Sequence, residues 1–308
     1  MSLNSLPRTT PTTGRWIVAD LHVHSTYSGG SLTPAELVKN AQMHLFDAIA
    51  ITDHNQIVGA IEAKQIANTV QTGAAIFNGA ANDLEIIISQ EISLGDHFHL
   101  LVLGAQEAWT GANRSKLVEK IHQSHDAGAV IILAHPWTLP KSSWAFGCLE
   151  DLLAGNLVDG VELFNASILE SQEQGAKTLT SIWENLIVPH HLAVTGGSDF
   201  HYYKQGRQLG AGRTYLKVSG KGGTGIMEAL RNRRTVAGLF NYRPFDLGQF
   251  GTGNGTIWGR DPWYSELREL GAVLNLQINN SMVLNPTRQT ALIRLMGAGH
   301  YQMVQDLM

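Results

Sequence analysis

The chain has 308 residues, a formal charge of -4 and 44% hydrophobic residues. That length fits one large α/β unit, and the weakly acidic balance excludes a basic nucleic-acid surface by composition alone. Cys148 is the only cysteine, which excludes an intrachain disulfide and fits a cytoplasmic setting. The polar N-terminal stretch lacks the apolar core of a signal peptide, and no apolar run approaches the ~18 residues needed to span a membrane.

Residues 1–15 read as a flexible lead rich in Thr and Pro. From Trp16 onward, short apolar runs alternate with longer amphipathic segments, the pattern of repeated β/α units. Strands are predicted at 16–21, 47–52, 84–91, 98–103, 129–134, 160–164 and 192–196. Most are continuously apolar, as for strands covered on both faces. Helices are predicted at 34–44, 58–70, 114–127 and 168–185, the first carrying Thr33 as N-cap, Pro34 at its first position and Glu36 three residues after the cap. Seven strands with intervening helices predict an α/β fold, a distorted (β/α)7 TIM-like barrel over 16–240. A further helix is predicted at 224–234, and 241–308 reads as a C-terminal extension or small subdomain.

Six of the 13 histidines fall where predicted strands end: His22, His24, His54, His99, His135 and His201. In a parallel barrel the strand ends open on one face, so residues distant in sequence converge there. His22 and His24 lie two apart, so on a strand they share a face. An isolated pair of this kind is as readily a hydrogen-bonded pair in a core; the other motifs give it weight. Asp199 and His201 repeat the spacing after Gly196-Gly197-Ser198. Asp199 alone would also serve as a helix cap. Glu91 ends a long apolar run, where an unpaired buried charge is costly; as a bridge between two cations it would be matched, and otherwise it is an exposed loop residue. His135 precedes Pro136, which stops the strand. His99 is preferred over His97 because the run 100–103 continues directly from it.

Other features read as structural or auxiliary. Asp53 beside His54 suits a partner that orients an imidazole through its far nitrogen. His44, His122, His125, His190 and His191 read as helix-end, surface or turn residues. Arg207 and Arg213 follow the last motif and could hold an anionic substrate group or lie on the surface. No Gly-x-Gly-x-x-Gly opens a helix after a strand, the Gly-rich turn at Lys221 lacks Walker spacing, and no Gly-x-Ser-x-Gly elbow is present.

The ordered set Asp20-x-His22-x-His24, Thr52-Asp53-His54, Glu91, His99, His135-Pro136 and Ser198-Asp199-x-His201 resembles the PHP family, named for polymerase and histidinol phosphatase domains. The resemblance covers about Trp16 to Phe240. It implies a distorted (β/α)7 barrel with two or three divalent metals at its C-terminal face, and mostly phosphate-ester hydrolysis. It implies that His22, His24, Glu91 and Asp199 hold one metal, that Glu91 bridges to a second held by His99 and His135, and that His54 and His201 serve a third position. Gly29 stands where similar sequences carry an Asp for that third position. The segment Leu209 to Leu216, with Ile226 to Arg231, is similar to a branch that includes carbamate-ester hydrolases.

These readings predict a metal-dependent phosphoesterase acting on a small phosphorylated molecule or nucleotide, with Zn, Mn or Fe as the ions. Glu91, Asp199 and His201 are the candidates for the chemical step, and Arg213 for substrate binding. The alternatives are a carboxylic or carbamate ester hydrolase using the same centre, and a non-catalytic barrel acting as a binding module. No membrane partner is expected, and nucleic acid only as substrate.

Overall fold

The computed structural model describes residues 14–44, 46–73, 84–95, 98–110, 114–138, 143–165, 181–203, 208–241, 254–260, 290–296 and 300–302. In chain order these give β1 (Arg15–Val23), α1 (Pro34–Met43), β2 (Ala48–Ile51), α2 (Val58–Gly73), β3 (Glu85–Ser93) and β4 (His99–Leu103). There follow α3 (Arg114–Asp126), β5 (Val130–Leu133), α4 (Ser143–Ala154), β6 (Gly160–Asn165), β7 (Ala193–Gly197), β8 (Gly212–Val218), α5 (Gly222–Arg231) and β9 (Thr235–Asn241). The lead 1–13 and most of the helix expected at 168–185 lie outside the described residues.

The sheet runs β9-β8-β1-β2-β3-β4-β5-β6-β7 and curls until its ends meet. His24 N donates to Phe200 O at 2.9 Å and Asp199 N to His22 O at 2.8 Å, joining the segment after β7 to β1. The result is a nearly closed barrel in an α/β fold. Most core pairs are parallel, β1 with β2, β2 with β3, β5 with β6 and β6 with β7. β4 is the exception, antiparallel to both β3 and β5. A connection this short cannot make the crossover that parallel pairing requires. The reversal corrects one expectation: His99 stands at the start of its strand, and reaches the mouth because that strand runs backwards.

Alternation along the strands builds the interior in layers. Ile17, Ala19 and Leu21 of β1, Ala48 and Ala50 of β2, Ile87 of β3, Leu101 and Leu103 of β4, and Val130 and Ile132 of β5 form one buried cluster. Ile226, Met227 and Leu230 of α5 join it. Ile49 and Ile51 instead pack outward with Leu37 and Val38 of α1 and Ala60 and Ala63 of α2. Followed toward the mouth, the inward row of β3 passes from Ile87 through Ser89 to Glu91, and that of β4 from Leu103 through Leu101 to His99. The barrel therefore changes from apolar to polar along its axis. In β1 the register against β2 shifts between Asp20 and Val23. Such a bulge re-aims side chains: Leu21 stays in the interior cluster, Val23 packs outward, and His22 and His24 turn to the mouth.

α1 starts as expected, with Thr33 and Glu36 forming a capping box. Beyond the expected strands, β8 and β9 add antiparallel partners next to β1. The extension contributes β10 (Asn254–Arg260), β11 (Thr290–Met296) and β12 (His300–Gln302), paired antiparallel in succession onto β9. Among the described residues, no helix is long and apolar enough to cross a membrane.

Candidate metal centre

All six strand-end histidines, with Glu91 and Asp199, meet at the mouth. The two oxygens of Glu91 divide them. Oε1 lies 2.7 Å from His99 Nδ1 and 3.1 Å from His135 Nε2. Oε2 lies 3.3 Å from His22 Nε2, 3.1 Å from His24 Nε2 and 3.2 Å from His54 Nδ1. Asp199 Oδ1 joins the second set at 3.4 Å from both His22 Nε2 and His24 Nε2. His201 stacks on His24 with ring centroids 4.1 Å apart. Three groups have donor atoms mutually close enough for one ion: His22, His24 and Asp199; His22, Glu91 and His135; His24, His54 and His201. His99 belongs to none of these three, and reaches the centre through Glu91.

The outward hydrogen bonds fix which nitrogen of each neutral ring faces inward. His22 Nδ1 lies 3.2 Å from a carboxylate oxygen of Glu162, an acceptor only, so it carries the proton. Ser28 Oγ donates to Asp53 Oδ1 at 2.8 Å, and therefore accepts from His24 Nδ1 at 3.1 Å. Thr138 Oγ1 donates to the His135 carbonyl and accepts from His135 Nδ1, both at 2.9 Å. His201 Nδ1 donates to the Asp199 carbonyl at 3.1 Å. In their neutral forms these four rings aim an Nε2 lone pair into the cluster. His22 Nε2 and His24 Nε2 lie 3.2 Å apart, a repulsive pairing unless a proton or cation stands between them.

Charge follows from this crowding. Burial pushes His22 down, but Glu162, Glu91 and Asp199 more than offset it and hold the ring well above its usual range. His24 is likewise opposed by burial, yet hydrogen bonds to Asp199 and Glu91 lift it to about 9. His135 is raised for the same reasons, burial again opposing. Glu91 and Asp199 are both held low: burial opposes, while the neighbouring imidazoles, His22 foremost, dominate. His54 goes the other way, to about 4, because burial and nearby positive rings exceed the pull of Glu91. Without ions, His22, His24 and His135 favour a proton on their inward nitrogens; divalent cations could take its place. Imidazole and carboxylate are donor types that divalent metal ions take.

The auxiliary residues divide. Asp53 does support an imidazole, but His24 through the Ser28 hydroxyl rather than the adjacent His54. Arg213 makes contacts away from the cluster. Its guanidinium lies over the Phe46 ring at 5.2 Å and its Nε donates to the Gly210 carbonyl at 2.8 Å. Thr214 faces β7, bonding Gly196 N and O at 2.9 and 2.8 Å, and alternation turns Arg213 away from the cluster. Arg207 and His97 lie outside the described residues.

Two carboxylates were given no role by sequence reasoning, although Asp20 stands in the first motif. Glu162 is 1% exposed beneath His22. Asp20, fully buried, accepts from Ser198 N at 2.9 Å and Gly210 N at 2.7 Å, tying the lip of β7 to β1. Burial raises Asp20 to about 6 against these hydrogen bonds. A lone acid inside an apolar run was the available signal at Glu162.

The sequence model of the PHP domain matches residues 20–195, and the chain belongs to that family. It is 28% identical over 159 residues to an uncharacterized protein of Methanocaldococcus jannaschii, covering 48% of this chain and 81% of that one. It is similar in fold to a two-domain protein of Bacteroides vulgatus ATCC 8482, described as containing a predicted PHP-like metal-dependent phosphoesterase. That match has a TM-score of 0.57 and 13% identity, and covers 94% of this chain and 85% of the other.

Proposed function

We propose that the chain is a metal-dependent phosphoesterase acting on a small phosphorylated molecule or nucleotide. The observation that carries this reading is the division of Glu91: one oxygen faces His99 and His135, the other His22, His24 and His54. A carboxylate so placed can join two ion positions, with Asp199 completing the set around His22 and His24. Divalent ions held there would supply charge for phosphoryl oxygens and lower the pKa of an attacking water.

The chain's own groups account for the rest. Glu91 and Asp199 are ionised across the neutral range and balance the cationic charge. His201 is lowered by burial and by the charge on His24, so it is neutral near pH 7. Its Nε2 suits either a further ion or acceptance of a proton from water at the lip. The likeness of the β8 and α5 segments to carbamate-ester hydrolases keeps carbonyl esters in the test rather than in the conclusion.

The experiment is a substrate panel on protein loaded separately with Zn, Mn or Fe: an aryl phosphomonoester, an aryl phosphodiester and an aryl acetate. Phosphoester turnover abolished by chelator and restored by one metal supports the reading. Aryl acetate turnover exceeding both phosphoesters would replace it with the carbonyl alternative. Metal binding without turnover of any of the three would favour a non-catalytic barrel.

A further inference from the structure

We infer that Glu162 is a positioning residue that holds the two ion positions in register, acting through His22 and His135 without touching either ion. This rests on the proposed metal centre and concerns residues that centre does not itself require. Glu162 is a carboxylate in a strand, Gly160–Asn165, that is buried at every position. Its oxygens serve three donors. His22 Nδ1 approaches Oε1 at 3.2 Å, His135 N donates to Oε2 at 2.9 Å, and Asn165 Nδ2 donates to Oε2 at 3.1 Å.

Those contacts have distinct consequences. At His22 the acceptor-only carboxylate fixes the tautomer that leaves Nε2 free for the ion set shared with His24 and Asp199. At His135 it holds a backbone N–H in a residue whose φ is +24, a conformation that non-glycine residues rarely adopt. That strained turn is what swings His135 Nε2 to the opposite oxygen of Glu91. One buried acid therefore sets the orientation of one ligand from each side of the bridge. The packing is built for it: a Cβ on Gly197 would stand 2.6 Å from Glu162 Oε1 and 2.4 Å from His22 Cβ. Only glycine lets β7 pass this close.

A carboxylate offers two accepting oxygens and an amide only one. Glu162→Gln must therefore leave a buried donor unmatched while keeping size and shape. Zinc affinity is measured by chelator competition on wild type and Glu162→Gln, with near-UV circular dichroism to establish folding. The expected loss is roughly 10–100-fold, the usual effect of removing a partner of a metal ligand. The Co(II) visible spectrum should also shift, because ligand orientation changes. Unchanged zinc affinity and an unchanged Co(II) spectrum in a folded variant would overturn the inference. If Glu162→Gln does not fold, histidine nitrogen NMR of zinc-loaded wild type decides: ligation of His22 through Nε2 with a protonated Nδ1 supports it, and ligation through Nδ1 overturns it. Wild type that binds none of zinc, manganese and iron would instead overturn the proposed centre.

Discussion

At the scale of single residues, Glu91 is the pivot. Glu91→Gln keeps the volume but removes the charge that two cations would share. Activity and metal content should fall together, by at least tenfold in activity; two tightly held metals per chain in that variant would argue against bridging. Gly29 poses the converse case. It sits at φ +87, and a Cβ there would lie 3.5 Å from His201 Cδ2. Gly29 can contribute no ligand to the group formed by His24, His54 and His201. A third ion in wild type should therefore be only partly occupied after dialysis. Gly29→Asp should raise that occupancy, at a cost of about 1 kcal/mol for the left-handed backbone. Three stoichiometric metals in dialysed wild type would show that another group already fills the role.

At the scale of elements, the strand lips decide the site. Gly197→Ala drives a methyl group into His22 and Glu162, and overpacking of this kind costs about 1–3 kcal/mol. Its effect should be concentrated at the centre: a modest fall in melting temperature with a loss of metal affinity well beyond it. Thr33→Ala in the capping box of α1 is the contrast, expected to lose about 1 kcal/mol of stability with metal affinity unchanged. Much of this was legible in the sequence. The apolar runs placed β1, β2, β3, β5, β6 and β7, and the imidazoles or carboxylates at the ends of five of them come to one face. The reversal of β4 was not legible from the run itself, because a buried strand has the same composition in either direction; the short connection carried the information. β8 and β9 were hidden because each is defined by its neighbours in the sheet. Glu162 escaped notice because it lies inside its apolar run rather than at the end, where Glu91 stands, and its purpose is visible only when β6 lies beside His22.

At the scale of the whole molecule, the cluster links proton uptake, metal uptake and stability. In metal-depleted protein His24 has a folded pKa of about 9, raised above its ordinary 6.5 by Asp199 and Glu91 against burial. Its stabilising contribution is therefore full below pH 6.5 and lost as pH rises through 9, an effect of the order of 3 kcal/mol. Asp199 is depressed from 3.8, so its contribution is present above that value and lost on acidification. Thermal melts of chelator-treated protein should peak between about pH 4 and 6.5 and decline toward pH 9. Saturating zinc should remove the alkaline decline and release protons on binding. A flat profile in the metal-depleted protein would contradict imidazolium at this centre.

The meeting of β1 with the segment after β7 has a further bearing on how the protein is made. His22 and His24 leave the ribosome well before Asp199 and His201, which emerge only after nearly all of the barrel has been synthesised. The hydrogen bonds from His24 N to Phe200 O and from Asp199 N to His22 O close the ring last in sequence terms. No nascent chain stopped short of that point can hold the full donor set. Assembly of the whole donor set is thus confined to a finished barrel, and a polypeptide stopped before Asp199 lacks a member of two of the three groups that could hold an ion.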